Sequence, residues 1–139
     1  MPTLHVKPEG HIDSGSVDYS IAGDTLTVDG SAAFHYLWLH KTVPIHAVYT
    51  GAPGVFSRAT YAKPGAVVSF PEQGVVITVL DVDAAAARSH CHVADSKYGL
   101  AGVATLDVSG DQAAPVSLLS FEAQLSYNGI SQHVEVEPA

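Results

Sequence analysis

The chain has 139 residues, 47% of them hydrophobic and 14% charged, and its 14 acidic and 6 basic side chains give a formal charge of −8. That composition is too apolar for a disordered chain, and the length suits one domain spanning 1–139. The six scattered cations argue against an electrostatic grip on nucleic acid or an anionic membrane, both of which need clustered Lys and Arg, and no apolar run approaches the length of a membrane span.

Residues 1–10 lack a basic leader followed by an apolar core, and the single cysteine, Cys91, has no partner for an internal disulfide. Together these favour a cytoplasmic location.

Leu4 and Val6 alternate with His5 and Lys7 and stop at Pro8-Glu9-Gly10, the pattern of a short edge strand. Residues 17–21 and 25–29 flank Ala22-Gly23-Asp24 as a hairpin, and Asp29-Gly30 is a second turn signal. Residues 34–41 follow, with the only tryptophan and the densest run of aromatic side chains. As one strand they put Phe34, Tyr36, Trp38 and His40 on one face and His35, Leu37 and Leu39 on the other. Both faces are largely apolar, which predicts a central strand.

Pro44 rules out helix at this point, and residues 45–50, 55–62, 66–70 and 75–82 read as further strands separated by Gly- and Pro-rich turns. Residues 75–80 are apolar on both faces, a second central strand. Asp83 followed by four alanines predicts one short helix near residues 84–92, with Asp83 capping its first turn. Residues 100–108 return to strand. Near the end, Leu119, Phe121, Ala123, Leu125 and Tyr127 alternate with polar residues, and Asn128-Gly129 joins them to a return strand over 130–136. The fold class is therefore all-β: an antiparallel β-sandwich or barrel of about 8–11 short strands with one short helix.

Eight histidines are the unusual feature. His90 and His92, if on a strand, project from one face about 7 Å apart, a spacing that lets both reach one transition metal ion, with His40 among the candidate third ligands. A helix through them would aim the two apart. On a single strand His35 and His40 face opposite sides and share no ion without a bulge. A two-residue turn at 128–129 would pair Tyr127 with Ile130, which sets Gln124 opposite His133 and Glu122 opposite Glu135. Facing carboxylates there invite a counter-ion, a basic partner or a raised carboxylate pKa, although a wet outer sheet face is the ordinary home for them.

No nucleophile elbow, phosphate-binding loop or dinucleotide fingerprint is present, and Cys91 reads as a buried, inert thiol. Trp38, Tyr61 and Tyr98 are the aromatic candidates for stacking on a ligand, Tyr61 and Tyr98 because they precede loop glycines. These features favour a non-catalytic module that binds a carbohydrate, a small molecule or a protein. The alternatives are a metal-dependent enzyme or metal carrier using His90, His92 and His40, and a self-assembling subunit that forms homo-oligomers.

Overall fold

A computed structural model of the chain describes residues 2–127 and 129–139. Ten strands form one antiparallel sheet: β1 (Thr3–Val6), β2 (Ile12–Ala22), β3 (Thr25–Tyr36), β4 (Leu39–Thr50), β5 (Val67–Phe70), β6 (Val75–Asp83), β7 (Arg88–Asp95), β8 (Leu100–Asp107), β9 (Ser117–Tyr127) and β10 (Ile130–Pro138). One short helix, α1 (Arg58–Tyr61), interrupts them, so the all-β expectation holds. The order is β4-β3-β2-β1-β10-β9-β8-β7-β6-β5. Every neighbour is a chain neighbour except β1 and β10, which join the two chain ends to each other.

The sheet curls into a half-barrel around its core. Its edges approach at one end, where Gln73 Nε2 donates to the Val48 carbonyl at 3.0 Å and the rings of Tyr49 and Phe70 meet at 5.6 Å. The main core gathers Phe56, Tyr61, Val68, Phe70, Val75, Val79, Cys91, Ala104, Leu106, Val108 and Val116. Alternation explains it: on β7, Ser89 and Cys91 point inward while His90 and His92 point out. A smaller cluster of Leu4, Val17 and Tyr19 lies under β1 and β2, and Ile21, Leu26 and Leu118 pack against both.

Two glycines permit close strand approach. A Cβ on Gly30 would lie 2.1 Å from the Ser16 carbonyl oxygen, and one on Gly102 would lie 2.1 Å from that of Glu122.

Two small expectations are corrected: β1 lies between β2 and β10 and not at an edge, and Asp29-Gly30 falls inside β3 and not at a turn. Three larger ones are corrected as well. Residues 84–92 are not helical: 84–87 form the β6–β7 turn and β7 begins at Arg88. Four alanines are too few to nucleate a helix against a ladder that pairs Asp83 with Arg88, and Asp83 Oδ1 instead accepts the Ala85 and Ala86 amides at 3.1 and 3.2 Å. The helix sits at α1, where residues 55–62 read as strand. Ser57 caps it, and Arg58 ties it to the Ser109 and Pro115 carbonyls at 2.6 and 3.1 Å.

The third concerns residues 34–41, which are the tip of the β3–β4 hairpin and not a central strand. The chain reverses at Leu37-Trp38, and His35 pairs with His40 and Tyr36 with Leu39. Leu37 takes a φ of 56°, a left-handed conformation uncommon for a branched side chain. Every residue from 36 to 44 is exposed, so this half of the hairpin projects as an arm beyond the core.

Candidate functional site

The arm exposes four consecutive apolar or aromatic side chains: Tyr36 at 53%, Leu37 at 70%, Trp38 at 85% and Leu39 at 62%. Scattered exposed apolar residues are ordinary, but a contiguous run on a projecting tip is not. The ladder holds it in place, since β3 pairs with β4 over its whole length and with β2 on the other side.

Directly behind the tip lies a cluster of polar rings. The register shifts between Ile12 and Ser14, and this bulge turns Asp13 toward β3. His35 Nδ1 meets Asp13 Oδ1 at 2.6 Å, and His40 Nδ1 lies 3.5 Å from Asp13 Oδ2. The His11 and His35 rings are 6.0 Å apart, as are those of His35 and His40, while His11 and Tyr36 are 5.5 Å apart. His11 Nδ1 donates to the His35 carbonyl at 3.0 Å. The single-strand reading put His35 and His40 on opposite faces. Reversal at Leu37-Trp38 makes them direct cross-strand partners.

A second cluster sits on the outer face of the chain-end strands. Gln124 pairs with His133 and Glu122 with Glu135, the expected register; Asn128 of the connecting turn lies outside the described residues. The counter-ions expected for the facing carboxylates are supplied from within the chain. His133 Nδ1 contacts the Glu9 carboxylate at 2.9 Å and its Nε2 contacts Glu122 at 2.9 Å, while Lys7 Nζ lies 3.1 Å from Glu135 and 3.4 Å from Glu137. Glu9, followed by Glu122, raises the His133 pKa, because both bonds favour the imidazolium. Glu9, His133 and Glu135 are also the one group of three among the described residues whose metal-type donor atoms lie within 4.8 Å of one another.

Of the metal candidates, His90 and His92 share the outer face of β7, with His90 Nδ1 2.6 Å from Asp81. His40 is on β4, with six strands between it and β7 in sheet order, and lies by Asp13 and His35. His46 pairs with Asp29 in the same manner as His90 with Asp81.

The aromatic candidates also separate. Tyr61 is corrected: it is 2% exposed, because α1 turns it into the core beside Phe56, and burial pushes its hydroxyl pKa up. Tyr98, on the β7–β8 turn, lies near Tyr49, whose pKa is raised by burial and then by the Asp95 and Tyr98 charges. Leu39 and Tyr49 are ten residues apart on one strand, roughly 33 Å, so Trp38 and Tyr98 serve no common small ligand. Cys91 is buried and its thiol pKa is raised by that burial, consistent with an inert side chain.

The sequence reading missed Asp13, His11 and Glu9. His11 and Asp13 flank Ile12 in a stretch the sequence assigned to no element, and nothing in that spacing announces the bulge or the partner strand. Among the described residues no helix is long and apolar enough to cross a membrane. Set against protein-family models, curated proteins and solved structures, the chain gives no significant match.

Proposed function

We propose that this protein is a non-catalytic binding module that engages a protein partner through the Tyr36–Leu39 tip of its β3–β4 arm. The observation that carries this reading is the run of four exposed side chains, led by Trp38, on a ladder-held projection. Trp and Tyr are enriched at the centres of protein interfaces, where a large rigid ring fills a pocket at small entropic cost. Leu37 adds support: its left-handed backbone would suit glycine, and a leucine there gains nothing for the fold that would repay the strain. The formal charge of −8 favours a partner whose apolar pocket carries a basic rim. A glycan or small molecule is less well served, since Trp38 and Tyr98 are far apart and Tyr61 is buried.

A photo-reactive amino acid in place of Trp38, with one in place of the exposed Ser69 on β5 as control, tests this in native extract. Protein adducts should form at position 38 and not at 69. A partner identified that way and purified should blue-shift the emission of Trp38, the only tryptophan, and bind Leu37→Ser/Leu39→Ser about ten-fold or more weakly. Equal adducts from both positions, no adducts, or adducts to lipid or to second copies alone would overturn the reading.

A further inference from the structure

The geometry points to a transition-metal site at the base of the arm, with Asp13, His35 and His40 as ligands and His11 as the fourth donor, taking an ion of the Zn²⁺, Ni²⁺ or Cu²⁺ class. This goes beyond partner binding and does not depend on it.

His35 Nδ1 hydrogen-bonds one oxygen of the Asp13 carboxylate at 2.6 Å, and His40 Nδ1 lies 3.5 Å from the other. The donor atoms of Asp13, His35 and His40 do not all lie within 4.8 Å of one another without an ion, and metal bonds of ~2.0–2.2 Å would draw them to about 3–3.5 Å apart. The two imidazoles are direct cross-strand partners, so their backbone separation is set by the ladder. Their ring centroids are 6.0 Å apart, within about 1 Å of the roughly 5.2 Å expected for two imidazoles at a tetrahedral angle on one ion. The His40 side chain that must move to close the site is 73% exposed.

His11 is the fourth donor of the proposal, its ring centroid 6.0 Å from that of His35. Its Nδ1 donates to the His35 carbonyl at 3.0 Å, which leaves Nε2 with its lone pair, and a backbone acceptor on the far nitrogen is the usual support of a metal-bound histidine. Mixed imidazole and carboxylate donors suit Zn²⁺, Ni²⁺ and Cu²⁺ in preference to Mg²⁺ or Ca²⁺. The ion would tie the β2 bulge to both strands of the arm just behind Leu37 and Trp38.

The rival cluster at Glu9, His133 and Glu135 has its donors closer together, yet its charges are already balanced. Both nitrogens of His133 are engaged by carboxylates, its pKa is raised toward the charged form that no metal binds, and Lys7 holds Glu135.

The test is a Zn²⁺ titration by calorimetry on untagged, chelator-treated full chain, together with Cu²⁺ quenching of Trp38, which lies two residues from His40. Expected are one ion per chain, affinity at least ten-fold weaker in both His35→Gln/His40→Gln and Asp13→Asn, no change in Glu9→Gln/His133→Gln, and Cu²⁺ quenching that saturates at one equivalent. Circular dichroism of each variant shows whether the fold is kept, and NMR shifts of the His11, His35 and His40 ring protons on Zn²⁺ addition locate the ion in the unaltered chain. No binding at 1 mM Zn²⁺, binding that survives His35→Gln/His40→Gln, or binding that Glu9→Gln/His133→Gln abolishes would overturn the proposal.

Discussion

The two ends of the β3–β4 hairpin have the same ladder but different surroundings. At the end holding Leu26 and Tyr49, inward side chains pack into the main core and the ring of Tyr49 meets that of Phe70. At the other end all of residues 36–44 are exposed. Backbone pairing and the polar contacts of Asp13, His35 and His40 at its base therefore sustain the arm, and burial sustains the body. Because apolar burial is the larger driving term, the body is where stability resides and the arm is where sequence is free to serve contact.

One substitution in each region separates the two energetically. Phe70 is buried, stacks on Phe56 with ring centroids 5.6 Å apart and closes the sheet edge against Tyr49. Phe70→Ala should cost about 3–5 kcal/mol by denaturant unfolding, whereas Leu39→Ala on the arm should stay within about 0.5 kcal/mol. Similar losses from the two would mean that the arm packs against something the curled sheet does not provide.

Leu37 sharpens the contrast from the opposite direction. A leucine at φ 56° carries left-handed strain of about 1 kcal/mol that glycine would not. Leu37→Gly should therefore stabilise the chain by up to about 1 kcal/mol while weakening capture of the partner. A destabilised Leu37→Gly variant would remove the argument that the tip exchanges stability for contact.

The body was legible in the sequence because burial writes itself as alternation. The terminal hairpin shows this: counting back from Asn128-Gly129 gives the observed pairing of Glu122 with Glu135 and Gln124 with His133. The arm was not legible, because its apolar residues mimic a two-sided buried strand, and the turn at Leu37-Trp38 contains no Gly, Asn, Asp or Pro to announce it. The misplaced helix has a related cause: four alanines carry helix propensity, and tertiary pairing of Asp83 with Arg88 overrides it. The histidine cluster depended on both the unannounced turn and the Asp13 bulge, so neither composition nor spacing could assemble it.

The smallest effect separates the two histidine clusters by pH. His133 is held between Glu9 and Glu122, which raise its pKa above the unfolded value near 6.5. The folded state then binds the proton more tightly than the unfolded chain does. The resulting stabilisation is fully present below the unfolded pKa and is lost as pH rises through the folded one. His133→Gln removes that contribution, so the difference in melting temperature between the unaltered chain and the variant should favour the unaltered chain at pH 5.5 and shrink by pH 8.5. Taking the difference cancels the other seven histidines, which are the same in both chains. A difference that is flat with pH, or that grows as pH rises, would mean His133 is not held as an imidazolium, and the outer-face cluster would then regain its claim to the metal now assigned to Asp13, His35 and His40.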